Sequence, residues 1–325
     1  MSREPAPAQR AEAVGSSPMI VVAGEALVDL VIDTDGSVQA KLGGGPYNVA
    51  RTIGRLGGSV TFLGAISNDR FGTQLLAQLT ADGVSADAIE HTDQPTTLAA
   101  AELNDHGAAT YRFYLDGTSA PSLCLVPAVV SAPAAVHMGT LGLVLEPMAS
   151  TLIGYLRTLP PETLVMIDPN CRAGVIADRD AYVHRVNQAY ERADVVKVSN
   201  DDAEYLAPGV EPLDYARSLL ARGVSLVLVT WGAHGTWIAT ADHEELVQTL
   251  PVVVADTIGA GDSFGGGFLA WWLDGGLGRA DLIDPALAAQ ATAAAQQVAG
   301  ITCQRAGADP PRRAELPAAW ARHML

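Results

Sequence analysis

The chain is short of cysteine, of positive charge and of long apolar runs, and each shortage narrows what it can be. Cys124, Cys171 and Cys303 are the only three cysteines in 325 residues. They are widely spaced, form no Cys-x-x-Cys pair, and read as buried small hydrophobes in a reducing compartment. Lysine and arginine total 20 against 36 aspartates and glutamates, a net charge of −16. No basic stripe exists to release counterions from nucleic acid or to dock on an anionic membrane surface, so neither is an expected partner. No apolar stretch approaches the length that spans a membrane. Met1 to Pro18 is rich in Ala, Pro, Glu and Arg and lacks an apolar h-region, which predicts a disordered tail instead of a signal peptide. A cytoplasmic protein is expected.

What is present is alternation. Apolar, β-rich runs occur at Met19–Val22, Val60–Leu63, Leu164–Ile167, Val195–Val198, Leu226–Thr230 and Val252–Ala255. Helical patterns fall between them at Gln74–Thr80, Ala149–Leu159, Ala181–Ala193, Leu213–Ala221 and Ala286–Ala299. Apolar strands separated by helices predict an α/β fold with a mostly parallel sheet covered on both faces, its site beyond the C-terminal strand ends. Two places break the rhythm. Val28–Ile32 leads through Asp33-Thr34-Asp35-Gly36 to Val38–Leu42, and Thr96–Leu103 and Thr110–Leu115 flank an Asn104-Asp105-His106-Gly107 turn. These predict a small β-structured flap, able to close over the ligand edge and exclude water.

The chemistry concentrates at Asp256-Thr257-Ile258-Gly259-Ala260-Gly261-Asp262, between the run at 252–255 and a helical stretch over Ser263 to Leu273. Two glycines let the backbone approach a ligand, and amides at a helix start hold an anion. A carboxylate among them would repel a resting phosphate, yet beside an attacking hydroxyl it can take the proton. The segment predicts phosphoryl transfer, with Asp262 as proton acceptor and the Gly259, Ala260 and Gly261 turn stabilising the transferring charge. A dinucleotide fingerprint fails on spacing, because the next glycine, Gly265, comes one position late for GxGxxG.

Three further segments fall in line: Gly24-Glu25-Ala26-Leu27-Val28-Asp29, Gly43-Gly44-Gly45-Pro46-Tyr47-Asn48-Val49-Ala50 and Val229-Thr230-Trp231-Gly232-Ala233-His234-Gly235. With the Asp262 turn, and in this order, they resemble the PfkB carbohydrate kinases of the ribokinase-like superfamily, over about Val21 to Pro311. Asp168-Pro169-Asn170-Cys171-Arg172, Tyr111-Arg112-Phe113-Tyr114 and the segment from Ile301 to Pro311 resemble the fructokinases within it.

The resemblance implies a ribokinase-like three-layer domain over 19–320, with lid segments at about 30–43 and 96–118. It implies ATP-dependent phosphorylation of a sugar primary hydroxyl, with fructose the first choice. It implies a sugar cradle of Asp29, Gly43, Gly44 and Asn48, with Arg112 and Arg172 as further substrate contacts. Either Arg112 and Tyr114 or Tyr111 and Phe113 face the sugar. Thr230, Gly232, Gly235 and Ser199 fall on the nucleotide side. Mg²⁺ accompanies ATP, offsetting the repulsion between an acidic protein and an anionic nucleotide. The chain departs from an Asn-x-x-Glu motif that many relatives carry, having Ser199 and Asp202 there, with Asp202 as the candidate magnesium residue. K⁺ is implied at Asp256 and the backbone near Cys303, Ala306 and Ala308. A homodimer joined through flap edges is expected. A 2-keto-3-deoxygluconate, ribose or nucleoside kinase of the same fold stays open, as does a sugar-binding regulator without catalysis.

Overall fold

The computed structural model describes residues 18–103 and 109–321. The N-terminal tail and the turn at 104–107 therefore lie outside the described residues, apart from Pro18. Within the described residues thirteen strands run β1 Ile20–Ala23, β2 Leu27–Ile32, β3 Val38–Gly43, β4 Val60–Ser67, β5 Val84–Thr92, β6 Leu98–Leu103, β7 Ala109–Tyr114, β8 Ala135–Gly139, β9 Leu164–Asp168, β10 Val195–Ser199, β11 Leu226–Thr230, β12 Thr236–Ala239 and β13 Glu244–Val247. Among the described residues eight α-helices run α1 Gly45–Arg55, α2 Arg70–Ala81, α3 Met148–Thr158, α4 Arg179–Tyr190, α5 Asn200–Leu206, α6 Pro212–Leu220, α7 Ala260–Asp274 and α8 Pro285–Cys303.

Nine strands form one sheet in the order β13-β12-β11-β10-β9-β8-β1-β4-β5. From β5 to β11 every neighbour is parallel; β12 and β13 close one edge antiparallel. Its central strands are near-continuous apolar runs because both faces are covered. Ile20, Val22, Phe62, Met166 and Leu228 pack beneath α1, α2, α7 and α8. Their alternates Val21, Leu63, Val136, Ile167 and Val229 pack beneath α3, α4 and α6. This is the layered α/β fold that the alternation predicts. Among the described residues no helix is long and apolar enough to cross a membrane.

The two departures from alternation make a second, four-stranded sheet, ordered β3-β2-β6-β7. Here β2 pairs antiparallel with β3 and parallel with β6, and β6 pairs antiparallel with β7.

One predicted strand is absent. Residues 252–255 belong to no sheet, and Val253 is 88% exposed. The Ala255 and Asp256 amides donate to the Cys303 carbonyl, at 2.8 and 3.2 Å. The run is a surface crossing from the sheet edge to α7, so its β-branched composition finds no ladder to join. The helix after it starts earlier than predicted, at Ala260, which makes Asp262 its third residue.

Candidate active site

A cleft of about 530 Å³ opens beyond the C-terminal ends of β8, β9 and β10. The second sheet contributes Asp29 and Phe113, and the start of α1 contributes Gly44 and Asn48. The turn into α7 contributes Gly259, Gly261 and Asp262. Thr140, Asn170, Arg172 and Lys197 line it from the large-sheet side.

Local sequence explains this convergence. Gly259 is the N-cap of α7 at φ 75, a left-handed conformation that glycine adopts without strain. It turns the chain so that Asp262 faces the cleft from the first helical turn. Gly44, at φ 112, caps α1, and a side chain there would meet the Glu25 carbonyl at 2.6 Å. At Gly43 a Cβ would lie 2.4 Å from Asp29 Oδ2, so glycine leaves room for that carboxylate against the strand. Asn48 Nδ2 donates to Asp262 Oδ2 at 2.9 Å, tying the two glycine turns together across 214 residues of sequence.

The carboxylates are strongly perturbed. Burial raises the pKa of Asp262 above the ordinary value, against the opposing effects of the Asn48 hydrogen bond and the charges of Lys197 and Arg172. Burial also pushes Asp29 up to about 6, with the charge of Asp262 adding to it. Glu25, 1% exposed, is pushed up to about 8, again chiefly by burial. Its Oε1 accepts from the Gly45 amide at 3.0 Å, which anchors the start of α1.

Seven of the candidate residues thus meet in one place: Asp29, Gly44, Asn48, Arg172, Gly259, Gly261 and Asp262. Thr230, Gly232 and Gly235 lie outside this cleft, at the end of β11. Ser199 and Thr230 face each other as register partners at the ends of β10 and β11. Gly232 and Gly235 both have positive φ, and a Cβ on Gly235 would meet the Val247 carbonyl at 2.4 Å.

Arg112 requires a correction. Phe113 points into the cleft, so strand alternation turns Arg112 to the opposite face of β7, where it is exposed and lies 3.5 Å from Glu102. The placement of Asp202 changes as well. Asp202 is buried and fully engaged: Oδ2 accepts from the Ser199 amide and hydroxyl, at 2.9 and 2.6 Å, and Oδ1 from the Cys171 amide at 2.6 Å. It is a capping box, not a free magnesium ligand. Asp256 accepts from the Ile258 and Gly307 amides, at 3.0 and 2.8 Å. The Cys303 carbonyl takes two amides, and that of Ala308 takes Arg51 Nη1 at 3.0 Å. Ala306 follows in the same loop after α8. Only the Cys303 carbonyl has both lone pairs taken; each Asp256 oxygen and the Ala308 carbonyl accept one bond and keep a lone pair. Among the described residues no group of three or more His, Cys, Asp or Glu could hold a metal ion.

Several residues of the site escape sequence reading. Glu25 sits inside a recognised segment, but its burial does not show in sequence. Lys197 forms a buried ion pair with Asp168, Nζ to Oδ2 at 2.6 Å. The visible signal was a lysine interrupting the apolar run Val195-Val196-Lys197-Val198. Thr140 and Asn170, the two non-glycine residues with positive φ among those described, both line the cleft, Asn170 Nδ2 donating to Thr140 Oγ1 at 3.3 Å. Strained backbone of this kind gathers at functional sites.

An α/β fold with a carboxylate and amides at a helix start, facing a polar cleft at the parallel sheet's C-terminal edge, defines a group-transfer enzyme of small molecules. The pfkB family carbohydrate kinase model matches residues 17–314, and the chain belongs to that family. It is 32% identical over 259 residues to a fructokinase of Rhizobium leguminosarum bv. trifolii, covering 78% of this chain and 79% of that protein. It superposes on the fructokinase of Xylella fastidiosa, solved with bound ATP, with TM-score 0.83 and 27% identity, over 89% of this chain and 93% of the other. A fructokinase double mutant from Vibrio cholerae O395, solved with fructose, ADP and potassium ion, gives TM-score 0.79 and 25% identity, over 90% and 95% of the two chains.

Proposed function

We propose that the protein is an ATP-dependent fructokinase that transfers the γ-phosphoryl group to a primary hydroxyl of the sugar. The observation that carries this reading is the Asn48–Asp262 hydrogen bond at 2.9 Å, which joins the would-be sugar cradle to the would-be base. The sugar lies between Asp29, the Gly43–Gly44 backbone and Asn48, whose buried Oδ1 has no protein partner and can accept a sugar hydroxyl. Asp262 takes the proton of the attacking hydroxyl. The Gly259–Gly261 amides and the exposed Arg172 guanidinium stabilise the charge on the transferring group. The nucleotide approaches from Thr230, Gly232, Gly235 and Ser199. The four-stranded sheet acts as a lid over the domain at 19–320, and its outer face, where Val38 and Tyr114 are more than half exposed, serves a homodimer.

Mg²⁺ supplies charge neutralisation when carried on the phosphates of ATP, a mode that needs no protein cage. The oxygens of Asp202 are taken up by the capping box of α5 and by the Cys171 amide.

The test is magnesium-dependent ADP release from ATP over a panel of sugars and nucleosides, beside Asp262→Ala. Turnover is expected on fructose, and Asp262→Ala should lose about 10²–10⁴-fold in kcat. Equal turnover in both proteins would remove Asp262 as the base. Sugar binding without turnover would favour the regulator.

A further inference from the structure

The Lys197–Asp168 pair is not used by the mechanism above, yet it lies under the residue on which that mechanism turns. Lys197 is 4% exposed and Asp168 3%, each on its own strand of the large sheet. A Cβ built on Gly261 would stand 3.3 Å from Lys197 Nζ, so the ammonium abuts the first turn of α7, one residue before Asp262. Lys197 also lines the cleft.

We propose that Lys197 is a positioning residue for the phosphotransfer reaction: its ammonium, pinned by Asp168 beneath the first turn of α7, holds Asp262 as a carboxylate ready to accept a proton. The inference rests on the kinase reading for its purpose, though not for its physics. A carboxylate buried as Asp262 is tends to keep its proton, which would leave no base. The groups facing it decide the outcome. From the connection after β1 and from the second sheet come Glu25 and Asp29; protonated Glu25 adds no charge at neutral pH, whereas Asp29 opposes ionisation. From β9 comes Asp168, whose charge couples to that of Asp262 and also opposes its ionisation. From β8 comes His137, held neutral with its pKa near 3 by burial and by the charge of Lys197. The cations are Arg172, exposed, and Lys197, buried. Screening by water weakens the first and spares the second.

Lys197 is built to stay charged. Burial alone would neutralise it, but Asp168, with Asp202 and Asp262 beyond, holds its pKa above the ordinary lysine value. Asp168 in turn is raised by burial, with Lys197 pulling the other way, only to about 6. Both are ionised at neutral pH. The pair carries no net charge itself, but its positive end is the one at the cleft.

The experiment follows the Asp262 carboxyl directly by ¹³C NMR of Asp-labelled full-length protein, with the resonance assigned by its absence in Asp262→Asn. The pH profile of kcat/KM is measured in parallel. In Lys197→Met the Asp262 midpoint and the acid limb of the profile should both rise by about one pH unit or more. Lys197→Arg should hold both near wild type. Because Lys197→Met strands a buried carboxylate and endangers folding, Lys197→Met/Asp168→Asn is measured beside it and should show a smaller rise of the same sign. A uniform loss of rate with an unmoved midpoint would mean a structural role only and overturn the proposal. An equal rise in Lys197→Arg would also overturn it. If the wild-type protein turns over no sugar, the kinase reading fails, while the NMR midpoints still decide whether Lys197 governs Asp262.

Discussion

Glu25 illustrates how much a single position depends on its surroundings. In sequence it is an ordinary acid after a glycine; in the structure its buried carboxyl has a pKa near 8 against an ordinary 4.5. Between those values the folded protein keeps a proton that the unfolded chain has released, so this group's contribution to stability falls as pH rises through the window. Below it there is no effect, and above it the loss is constant. Glu25→Gln keeps an acceptor for the Gly45 amide and removes the titration. Its stability relative to wild type should therefore increase from pH 5 to pH 8, by a total on the order of 4 kcal/mol, read from urea unfolding at each pH. Asp262 is legible because its meaning is local, a carboxylate beside glycines at a helix start, whereas Asp29, inside β2, and Asn48 are reached through the resemblance. Lys197 and Asp168 are not legible, because their pairing depends on the placement of β9 beside β10. The inward face of the Arg112 strand is not legible, because strand alternation gives two faces and only the neighbouring elements decide which is inward.

At the scale of elements, the turn into α7 combines a required backbone shape with a crowded neighbour. Gly259 has φ 75, and a Cβ there would meet Ala308 Cβ at 2.6 Å and Ala308 Cα at 3.0 Å. Gly259→Ala must therefore bear left-handed strain of about 1–2 kcal/mol and also push the loop after α8. Displacing the turn moves Asp262 and the amides together, so kcat/KM should fall roughly 10²-fold, with fructose and ATP, at a temperature where circular dichroism shows the variant folded. Gly154→Ala, with nothing within 4 Å of its Cβ, serves as the control and should keep full activity. The same turn shows where element reading succeeds and stops. A buried run flanked by helices, such as Leu226–Thr230, announces a strand by its composition. The run at 252–255 has the same composition but no partner strand, and β-propensity is mostly a statement about neighbours. Conversely β5, Val-Ser-Ala-Asp-Ala-Ile-Glu-His-Thr, is an edge strand with exposed polar positions, and its mixed pattern hid it. β8 was obscured by His137 and Gly139, which interrupt an otherwise apolar run of five residues.

At the scale of the whole molecule, the charge of −16 acts on every anion that approaches. The cleft itself offers Arg172 and Lys197 against Asp29 and Asp262, with Glu25 protonated at neutral pH. It therefore presents no strong positive field to overcome the acidic surface around it. An anionic nucleotide must then arrive against a long-range repulsion and be held by short-range amide contacts. Salt distinguishes the two, because a Debye length of about 8–10 Å at physiological ionic strength screens the first and scarcely touches the second. Raising ionic strength with choline chloride, which adds no small cation to compete at the site, should increase kcat/KM for ATP while leaving that for the neutral sugar nearly unchanged. An enzyme steered by a positive cleft would show the reverse, with kcat/KM for ATP falling as salt is added. The direction of that one slope, measured at constant pH and saturating magnesium, reports whether nucleotide capture here works against the field of the protein or with it.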